Sequence, residues 1–272
     1  MRATILLSAA FAACAPEVPD ANSAAPETEA FGPERQIYGR VHDVADHNRG
    51  LPGTVVSTDR DEMSSDIFGG FRLAASTADT LLFVQADNTG WTPHVVHVHA
   101  ATEDTEIWPG LMQLEDADRA LSIVAGTSSV SPSFLSQSAY LVVQPRMPNR
   151  SSLVNTEHAE VRVFDPRGAP LMDAYQMQYN DALSTCLPVR GEDGVARGLP
   201  DCEGITMFPE VPVGVPLEVE VEMFDGRTCA RSYLQAIAGE TEAVVRFSIT
   251  AERGYLNVVR LECVNPELTE PE

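Results

Sequence analysis

Short segments that alternate apolar and polar side chains, each bounded by turn-forming residues, constrain the fold of this 272-residue chain more than any other feature. In residues 217–223 the leucine, the valines and the methionine fall on one face of a strand, and three glutamates fall on the other. Residues 36–43, 54–56 and 81–84 are similar segments, separated by Gly, Pro, Asp and Asn. The pattern predicts a mainly β protein with small sandwich modules.

Four motifs follow one another within residues 36–100. They read G-R-V-H-D at 39–43, G-L-P-G-T-V-V at 50–56, F-R-L at 71–73 after two glycines, and G-W-T-P at 90–93. Their order resembles the carboxypeptidase regulatory-like domain, a small transthyretin-like sandwich. The resemblance implies a carrier or spacer module, because the catalysis of the parent carboxypeptidases resides in a separate zinc domain.

Residues 151–265 repeat this organisation. Residues 160–171 form a strand that ends at Asp and is followed by a turn with Gly and Pro, and residues 204–214 resemble the edge of collagen-adhesin B-type modules. We therefore expect a second regulatory-like sandwich, interrupted by a long surface loop at residues 183–203. Eight apolar side chains are expected to fill the two cores: Phe71, Leu73, Leu82, Val84, Val161, Val163, Val219 and Val221.

Residues 101–150 break the strand pattern and predict a small insert between the two sandwiches. Residues 115–126 begin with acids, place apolar side chains at helical spacing and end at a glycine, which predicts a short helix. A second helix is expected at residues 131–137, where a serine can cap the first turn, and a strand at 140–144. The expected fold is therefore two Ig-like or transthyretin-like β-sandwich modules joined by a short helical insert.

The N-terminal residues predict export. Residues 1–13 carry one arginine and an apolar run that is too short to cross a bilayer but typical of a secretory signal peptide. Phe11-Ala-Ala-Cys14 resembles a bacterial lipobox, which implies cleavage before Cys14 and a diacylglyceryl group on its sulfur. Residues 14–35 are rich in Pro, Ala, Glu and Ser and predict a flexible tether. The alternative is an ordinary secretory signal in which Cys14 has no role.

Charge excludes one class of partner. The net charge is −22 at pH 7, and all 18 basic residues are arginines. Nucleic-acid binding needs clustered positive charge, and the sequence contains no basic run. We attribute the acidity, which includes an acidic tail at residues 266–272, to the solubility of an exported protein.

Five cysteines are present, and lipidation of Cys14 would leave four. An even number of cysteines in an exported domain predicts disulfides, and four cysteines allow three connectivities. We favour Cys186 with Cys202, because the polar loop between them gains from closure, and then Cys229 with Cys263. A four-thiolate zinc site is the alternative, but the sequence contains no C-x-x-C spacing.

One strand segment carries three histidines in the pattern H-x-x-H-x-H. On a strand His97 and His99 share one face and His94 lies on the other, so His97 and His99 are the pair that could bind one metal ion. Further ligands would have to come from nearby polar residues: Glu103, Asp104, Glu106 or His42. No spacing fixes a third ligand, so we expect a solvated strand face and no specific metal.

The familiar catalytic motifs are absent from the sequence: the nucleophile elbow, the H-E-x-x-H zinc motif, the phosphate-binding loop and the dinucleotide-binding glycine pattern. We expect a non-enzymatic, lipid-anchored envelope protein, periplasmic or outer-membrane-associated, with a structural or adhesive role and no cofactor. Its partners would be the membrane, through the anchor, and an envelope protein or a glycan. Trp91 and Trp108 could line a sugar-binding face, but such residues more often complete a core or a turn. The alternatives are a carbohydrate- or protein-binding module and a metal-dependent hydrolase that uses His97 and His99.

Overall fold

The computed structural model confirms the expected mainly β fold, because strands make up most of the residues that it describes. The part of the chain that the structure describes contains nineteen strands and one helix, α1 (Leu114–Ala125). That helix is twelve residues long, and no helix among the described residues is long and apolar enough to cross a membrane. The described residues are 33–46, 48–86, 90–125, 139–146, 159–182, 185–198, 202, 204–223, 227–230 and 243–264.

Within these ranges nine strands precede the helix and ten follow it. The strands before the helix are β1 (Glu34–Arg40), β2 (His42–Asp43), β3 (Thr54–Ser57), β4 (Glu62–Ser64), β5 (Gly70–Ser76), β6 (Thr80–Ala86), β7 (His94–Val98), β8 (Thr105–Ile107) and β9 (Gly110–Leu111). The strands after it are β10 (Tyr140–Arg146), β11 (Ala159–Phe164), β12 (Tyr175–Asn180), β13 (Thr185–Arg190), β14 (Ala196–Gly198), β15 (Thr206–Phe208), β16 (Pro216–Met223), β17 (Thr228–Ala230), β18 (Val244–Thr250) and β19 (Leu256–Val264).

The strands form one large sheet and three small ones. The large sheet has ten strands, nine in the order β13-β12-β15-β10-β19-β7-β6-β3-β4, while β17 also pairs with β19. A three-stranded sheet, β5-β1-β8, and a four-stranded sheet, β14-β11-β16-β18, each pack on the large sheet through apolar side chains, and β2 pairs with β9. Two sandwiches result, and both use the large sheet as a wall.

Each sandwich has its own hydrophobic core. The first core lies between the three-stranded sheet and strands β3, β6 and β7, with Leu73 and Leu82 fully buried from the two sides. The second core lies between the four-stranded sheet and strands β10, β15 and β19, with Val161 and Phe208 fully buried from the two sides. Fully buried side chains therefore alternate with less buried ones along β11 and β5, as the sequence pattern indicated.

Strands β10 and β19 contribute to both sandwiches. They pair in parallel with each other, and β19 also pairs in parallel with β7. Because successive side chains of a strand point to opposite faces, Val258 packs in the first core, whereas Leu141 and Val259 pack in the second. Parallel strands that are buried on both faces are nearly continuous apolar runs, and Tyr-Leu-Val-Val at residues 140–143 has that composition.

The structure confirms several predictions about the strands, the helix and the cores, and it corrects one prediction about a loop. All eight side chains expected in the cores are buried, α1 lies within one residue of the helix predicted at 115–126, and β10 contains the strand predicted at 140–144. The long loop expected at residues 183–203 is wrong, because β13 and β14 lie within it. β13 is an edge strand, where its proline and polar residues are tolerated because one side of the backbone needs no partner. The helix predicted at 131–137 lies outside the described residues.

Candidate functional site

His97 lies on β7 with its side chain almost completely buried, so the solvated face expected for it is wrong. Its Nε2 atom lies 3.2 Å from Oδ1 of Asn257 on β19, the parallel neighbour of β7. The amide of Asn257 also accepts a hydrogen bond from the backbone N–H of Glu252 and donates to the carbonyl oxygens of Glu252 and Tyr255. The imidazole therefore belongs to a buried polar network that holds β19 beside β7.

His94 lies on the other face of β7, the face that carries Val96 and the first core. Its Nε2 atom lies 2.9 Å from the hydroxyl oxygen of Thr92. Burial, with a smaller contribution from the positive charge of Arg260, lowers the pKa of His94 to about 3. The imidazole is therefore neutral at pH 7 and serves as a buried hydrogen-bonding group.

His99 follows directly after β7 and interacts with Asp79, the residue that directly precedes β6. Its Nδ1 atom lies 2.9 Å from Oδ1 of Asp79, and the same oxygen accepts a hydrogen bond from the backbone N–H of Ala100. The side chain is about half exposed. Among the residues that the structure describes, no group of three or more His, Cys, Asp or Glu side chains is arranged to hold a metal ion. In the candidate metal pair, His97 thus contacts Asn257 and His99 contacts Asp79.

The two tryptophans also have local partners. Trp91 packs against the first core, and the guanidinium of Arg49 lies 5.7 Å from the centre of its ring. The indole N–H of Trp108 donates a hydrogen bond to the carboxylate of Glu106 at 2.7 Å. The backbone carbonyl oxygen of Trp108 accepts a hydrogen bond from Arg260. These contacts are typical of residues that complete a core or a turn.

Both favoured disulfides are present. Cys186 on β13 is bonded to Cys202, and Cys229 on β17 is bonded to Cys263 on β19. Cys229 and Cys263 lie directly opposite each other in the antiparallel ladder, with Cα atoms 4.0 Å apart, and both are part of the second core. These bonds leave no thiolate for the four-cysteine zinc alternative. The fifth cysteine, Cys14, lies outside the described residues.

The outer face of the four-stranded sheet carries an ion-pair network that crosses all four strands. Glu220 is its most buried acid and accepts hydrogen bonds from Arg162 at 3.0 Å and from Arg246 at 2.7 Å. Burial alone raises the pKa of Glu220, but the two arginines outweigh that effect and hold the pKa below its usual range. The members of the network are Glu160, Arg162, Arg197, Glu220, Glu222 and Arg246. Three positive and three negative groups pair with one another, which gives the network a structural role.

Two large apolar side chains are exposed at one end of the first sandwich. Residues 66–69 form a tight turn between β4 and β5, in which the N–H of Gly69 donates to the carbonyl oxygen of Asp66 at 2.9 Å. Ile67 and Phe68 occupy the two central positions and are 78% and 69% exposed, more than any other large apolar residue in the described part of the chain. We call residues 66–69 the apolar turn.

Hydrogen bonds fix the backbone of the apolar turn. One carboxylate oxygen of Asp66 accepts from the N–H of Phe68 at 2.8 Å, and Nε of Arg40 donates to the carbonyl oxygen of Phe68 at 2.8 Å. Gly69 has a φ of +83°, a conformation that glycine adopts at little cost. The backbone of the turn is therefore held in place, and its two apolar side chains extend into solvent.

The sequence patterns did not identify the apolar turn. The pattern at residues 69–73 indicates only a glycine pair that leads into a strand. The available signal is the residue type, because the central positions of a tight turn usually carry Gly, Pro, Asn, Asp or Ser. An isoleucine and a phenylalanine between Asp66 and Gly69 depart from that preference.

No protein-family model and no curated protein matches the chain. Among solved structures, the Bacillus anthracis TIE protein has 11% identity and a TM-score of 0.25, over 84% of this chain and 33% of that one. The shaft pilin SpaA from Lactobacillus rhamnosus GG has 8% identity and a TM-score of 0.26, over 85% and 98%. The pilus-presented adhesin Cpa has 15% identity and a TM-score of 0.30, over 68% and 36%. The chain thus spans about a third of the TIE protein and of the adhesin, and no shared family or function follows at this level of similarity.

Proposed function

We propose that this chain is an exported, lipid-anchored protein of the bacterial cell envelope, with a structural or adhesive role and no catalytic activity of its own. In this proposal residues 1–13 direct export, Cys14 carries the lipid and residues 15–35 tether the folded sandwiches to the bilayer. The folded part then acts outside the cytoplasm, in the periplasm or at the outer membrane.

The pairing of the cysteines is the observation that carries the proposal. The two disulfides use four of the five cysteines. The fifth is Cys14, which directly follows the lipobox-like Phe11-Ala-Ala. Disulfides persist in oxidising compartments, so their presence supports export, and export is the condition under which Cys14 can be lipidated.

The architecture supports a structural role. The shared sheet connects the two sandwiches through the backbone hydrogen bonds of β19 with β10 and with β7, and the Cys229–Cys263 disulfide links β19 to β17. A pull on one sandwich is therefore transmitted to the other through paired strands. The buried His97 on β7 has a hydrogen-bond partner on β19, Asn257, which fits a role in holding the two strands together.

Fractionation of cells that produce a Cys14→Ala variant tests the anchor. We expect the wild type in the membrane fraction and the variant in the soluble fraction, because a diacylglyceryl group contributes about 0.8 kcal/mol per buried methylene. The matched control is Phe11→Leu, which restores the usual first residue of a lipobox and should leave the protein in the membrane fraction. Membrane association of the Cys14→Ala variant at the wild-type level would contradict the proposal.

Activity assays test the non-catalytic part of the proposal. We expect no turnover of ester, peptide or glycoside substrates by the purified protein, with or without added Zn²⁺. Turnover that is lost in a His97→Ala, His99→Ala double variant would instead support the metal-dependent hydrolase. Binding of defined sugars on a glycan array would support the carbohydrate-binding alternative.

A further inference from the structure

We infer that the Cys186–Cys202 disulfide is a reversible redox switch, which a dithiol reductant opens in the folded protein while the Cys229–Cys263 disulfide stays closed. Opening the bond releases one end of the β12–β13 hairpin. The reductant is identified by its chemistry, a pair of neighbouring thiols of the kind that a protein oxidoreductase presents. The inference goes beyond the proposed function and does not depend on a lipid at Cys14.

The two disulfides differ in how far solvent reaches them. Cys186 is partly exposed on β13, the strand at one edge of the large sheet, and its partner Cys202 is 2% exposed. Cys229 and Cys263 are each 1% exposed and belong to the second core. Disulfides exchange by direct attack of a thiolate on one of the two sulfur atoms, so the rate depends on access. Cys186 is therefore the cysteine that a thiolate can reach in the folded protein.

Cys186 lies in a part of the hairpin that extends past the neighbouring strand. The ladder of β12 with β13 continues to the pair Asn180–Thr185, whereas the described ladder of β12 with β15 ends at Gln176. We call residues 178–180 of β12 and 185–187 of β13 the hairpin tip. Tyr179 in the tip is 42% exposed. A two-stranded hairpin by itself is only marginally stable in water, so a further link to the sheet stabilises the tip.

The disulfide provides such a link. Cys186 lies opposite Tyr179 within the tip, and Cys202 belongs to the segment before β15. The N–H of Ile205 donates to the carbonyl oxygen of Cys202 at 3.1 Å, and the N–H of Met177 donates to the carbonyl oxygen of Ile205 at 3.1 Å. Backbone hydrogen bonds therefore hold Cys202 beside the base of the tip. Reduction frees the tip but leaves these bonds and both cores in place, and such local opening costs less free energy than global unfolding.

The reaction is a two-step thiol–disulfide exchange. In the first step a thiolate of the reductant attacks Sγ of Cys186, a mixed disulfide forms, and Sγ of Cys202 leaves as a thiolate. In the second step the other thiolate of the reductant attacks its own sulfur in the mixed disulfide, and Sγ of Cys186 leaves. Two electrons pass to the protein. The reductant becomes a disulfide, and the thiolates of Cys186 and Cys202 take up the two protons that its thiols have lost.

Reduction of the folded protein with dithiothreitol provides the first test. The full chain carrying Cys14→Ala, in which four cysteines remain, is titrated with dithiothreitol, alkylated and mapped by mass spectrometry. Cys186 and Cys202 should be alkylated at a concentration about tenfold or more below that required for Cys229 and Cys263. The far-UV circular dichroism should stay that of the oxidised protein, and removal of dithiothreitol in air should restore the bond. An equal or reversed order, or reduction of Cys186 and Cys202 only in urea, would overturn the inference.

Hydrogen exchange tests the release of the hairpin tip. After reduction under native conditions the amides of residues 178–180 and 185–187 should exchange faster than in the oxidised protein, whereas the amides of β10 and β19 should keep their protection. A Cys186→Ser, Cys202→Ser variant should show the same faster exchange without reductant, and the oxidised Cys14→Ala parent is its control. Unchanged exchange in the tip, or a loss of protection that extends to β10 and β19, would overturn the inference.

A trapping experiment tests the attacked sulfur and the class of reductant. Thioredoxin whose second active-site cysteine is replaced by serine completes the first step but not the second, so rapid acid quenching should preserve a disulfide between thioredoxin and Cys186. Glutathione at the same thiol concentration is the monothiol control. It should leave the bond largely closed, because the nearby Cys202 thiolate attacks the mixed disulfide in return. Attachment of thioredoxin at Cys202, Cys229 or Cys263, no adduct, or equal reduction by glutathione would overturn the inference.

Discussion

Val258 and Val259 are adjacent on β19, yet their side chains pack in different hydrophobic cores, Val258 in the first and Val259 in the second. The alternation of a strand places neighbours on opposite faces, and here both faces are covered. β19 therefore cannot leave one sandwich without disturbing the other.

The first prediction is that the two sandwiches unfold together. Val258→Ala and Val259→Ala should each lower the free energy of unfolding by about 2 kcal/mol, because each removes buried methyl groups from a packed core. Each variant should still unfold in a single transition, at a lower urea concentration than the wild type. The measurement follows far-UV circular dichroism together with the fluorescence of Trp91 and Trp108, which lie in the first half of the chain.

The first prediction requires that circular dichroism and tryptophan fluorescence report the same urea midpoint in each variant. If Val259→Ala moved the circular dichroism transition while tryptophan fluorescence kept its wild-type midpoint, the sandwiches would unfold independently. The shared strand would then not couple them.

The second prediction concerns the two disulfides. The Cys229–Cys263 bond closes a sequence separation of 34 residues and the Cys186–Cys202 bond one of 16 residues. In the chain-entropy model these loops correspond to about 4 and about 3 kcal/mol, and the first pair is also buried in the core. A Cys229→Ala, Cys263→Ala variant should therefore lose more stability in urea than a Cys186→Ala, Cys202→Ala variant. The reverse order would contradict this explanation.

Local patterns predicted much of this fold because they report which face of a segment is buried. Val219 and Val221 alternate with glutamates and are fully buried, and the acids and terminal glycine around α1 gave its position within one residue. The strand partners were not predictable in the same way. A period of two identifies a strand but does not say that β19 lies in parallel between β7 and β10.

The same limit explains the error at His97. The sequence places His97 on the face of β7 opposite Val96, and a polar side chain there predicts contact with solvent. The imidazole is instead buried and contacts Asn257 of β19, 160 residues further along the chain. Adjacent valines such as Val95 and Val96 are the local signal of a strand buried on both faces.

The third prediction is a dependence of stability on pH that originates at His94. Its pKa is about 3 in the folded protein, against 6.5 for an ordinary histidine. The unfolded chain therefore binds the proton more readily, and stability that is fully present above pH 6.5 is lost as the pH falls from 6.5 towards 3. We expect a loss of about 2 kcal/mol between pH 7 and pH 5, measured by urea unfolding at each pH.

A His94→Gln variant should lack this contribution, because glutamine has no proton to gain in this range. It should therefore lose about 2 kcal/mol less than the wild type between pH 7 and pH 5, whatever its stability at pH 7. The control is His99→Gln, a change at a half-exposed position, which should leave the wild-type slope largely intact. Equal slopes for wild type and His94→Gln would show that the buried imidazole does not control the response.

The fourth prediction concerns Glu220, whose pKa is lowered by Arg162 and Arg246 against the opposing effect of burial. A lowered carboxylate pKa contributes stability that is present above the unfolded pKa of about 4.5 and is lost as the pH falls through the folded value. Glu220→Gln should cost about 1–2 kcal/mol at pH 7, and the cost should shrink below pH 4.5. Glu218→Gln, an exposed change on the same strand, should stay within about 0.5 kcal/mol of the wild type.

The most direct test of the proposed function is the mass of the N-terminal peptide of the protein extracted from membranes. The proposal predicts a mature chain that begins at Cys14 and whose cysteine sulfur carries a diacylglyceryl group, while the other four cysteines are recovered as the Cys186–Cys202 and Cys229–Cys263 disulfides. A mature chain that begins after Cys14, or one in which Cys14 is present without lipid, would contradict the proposal.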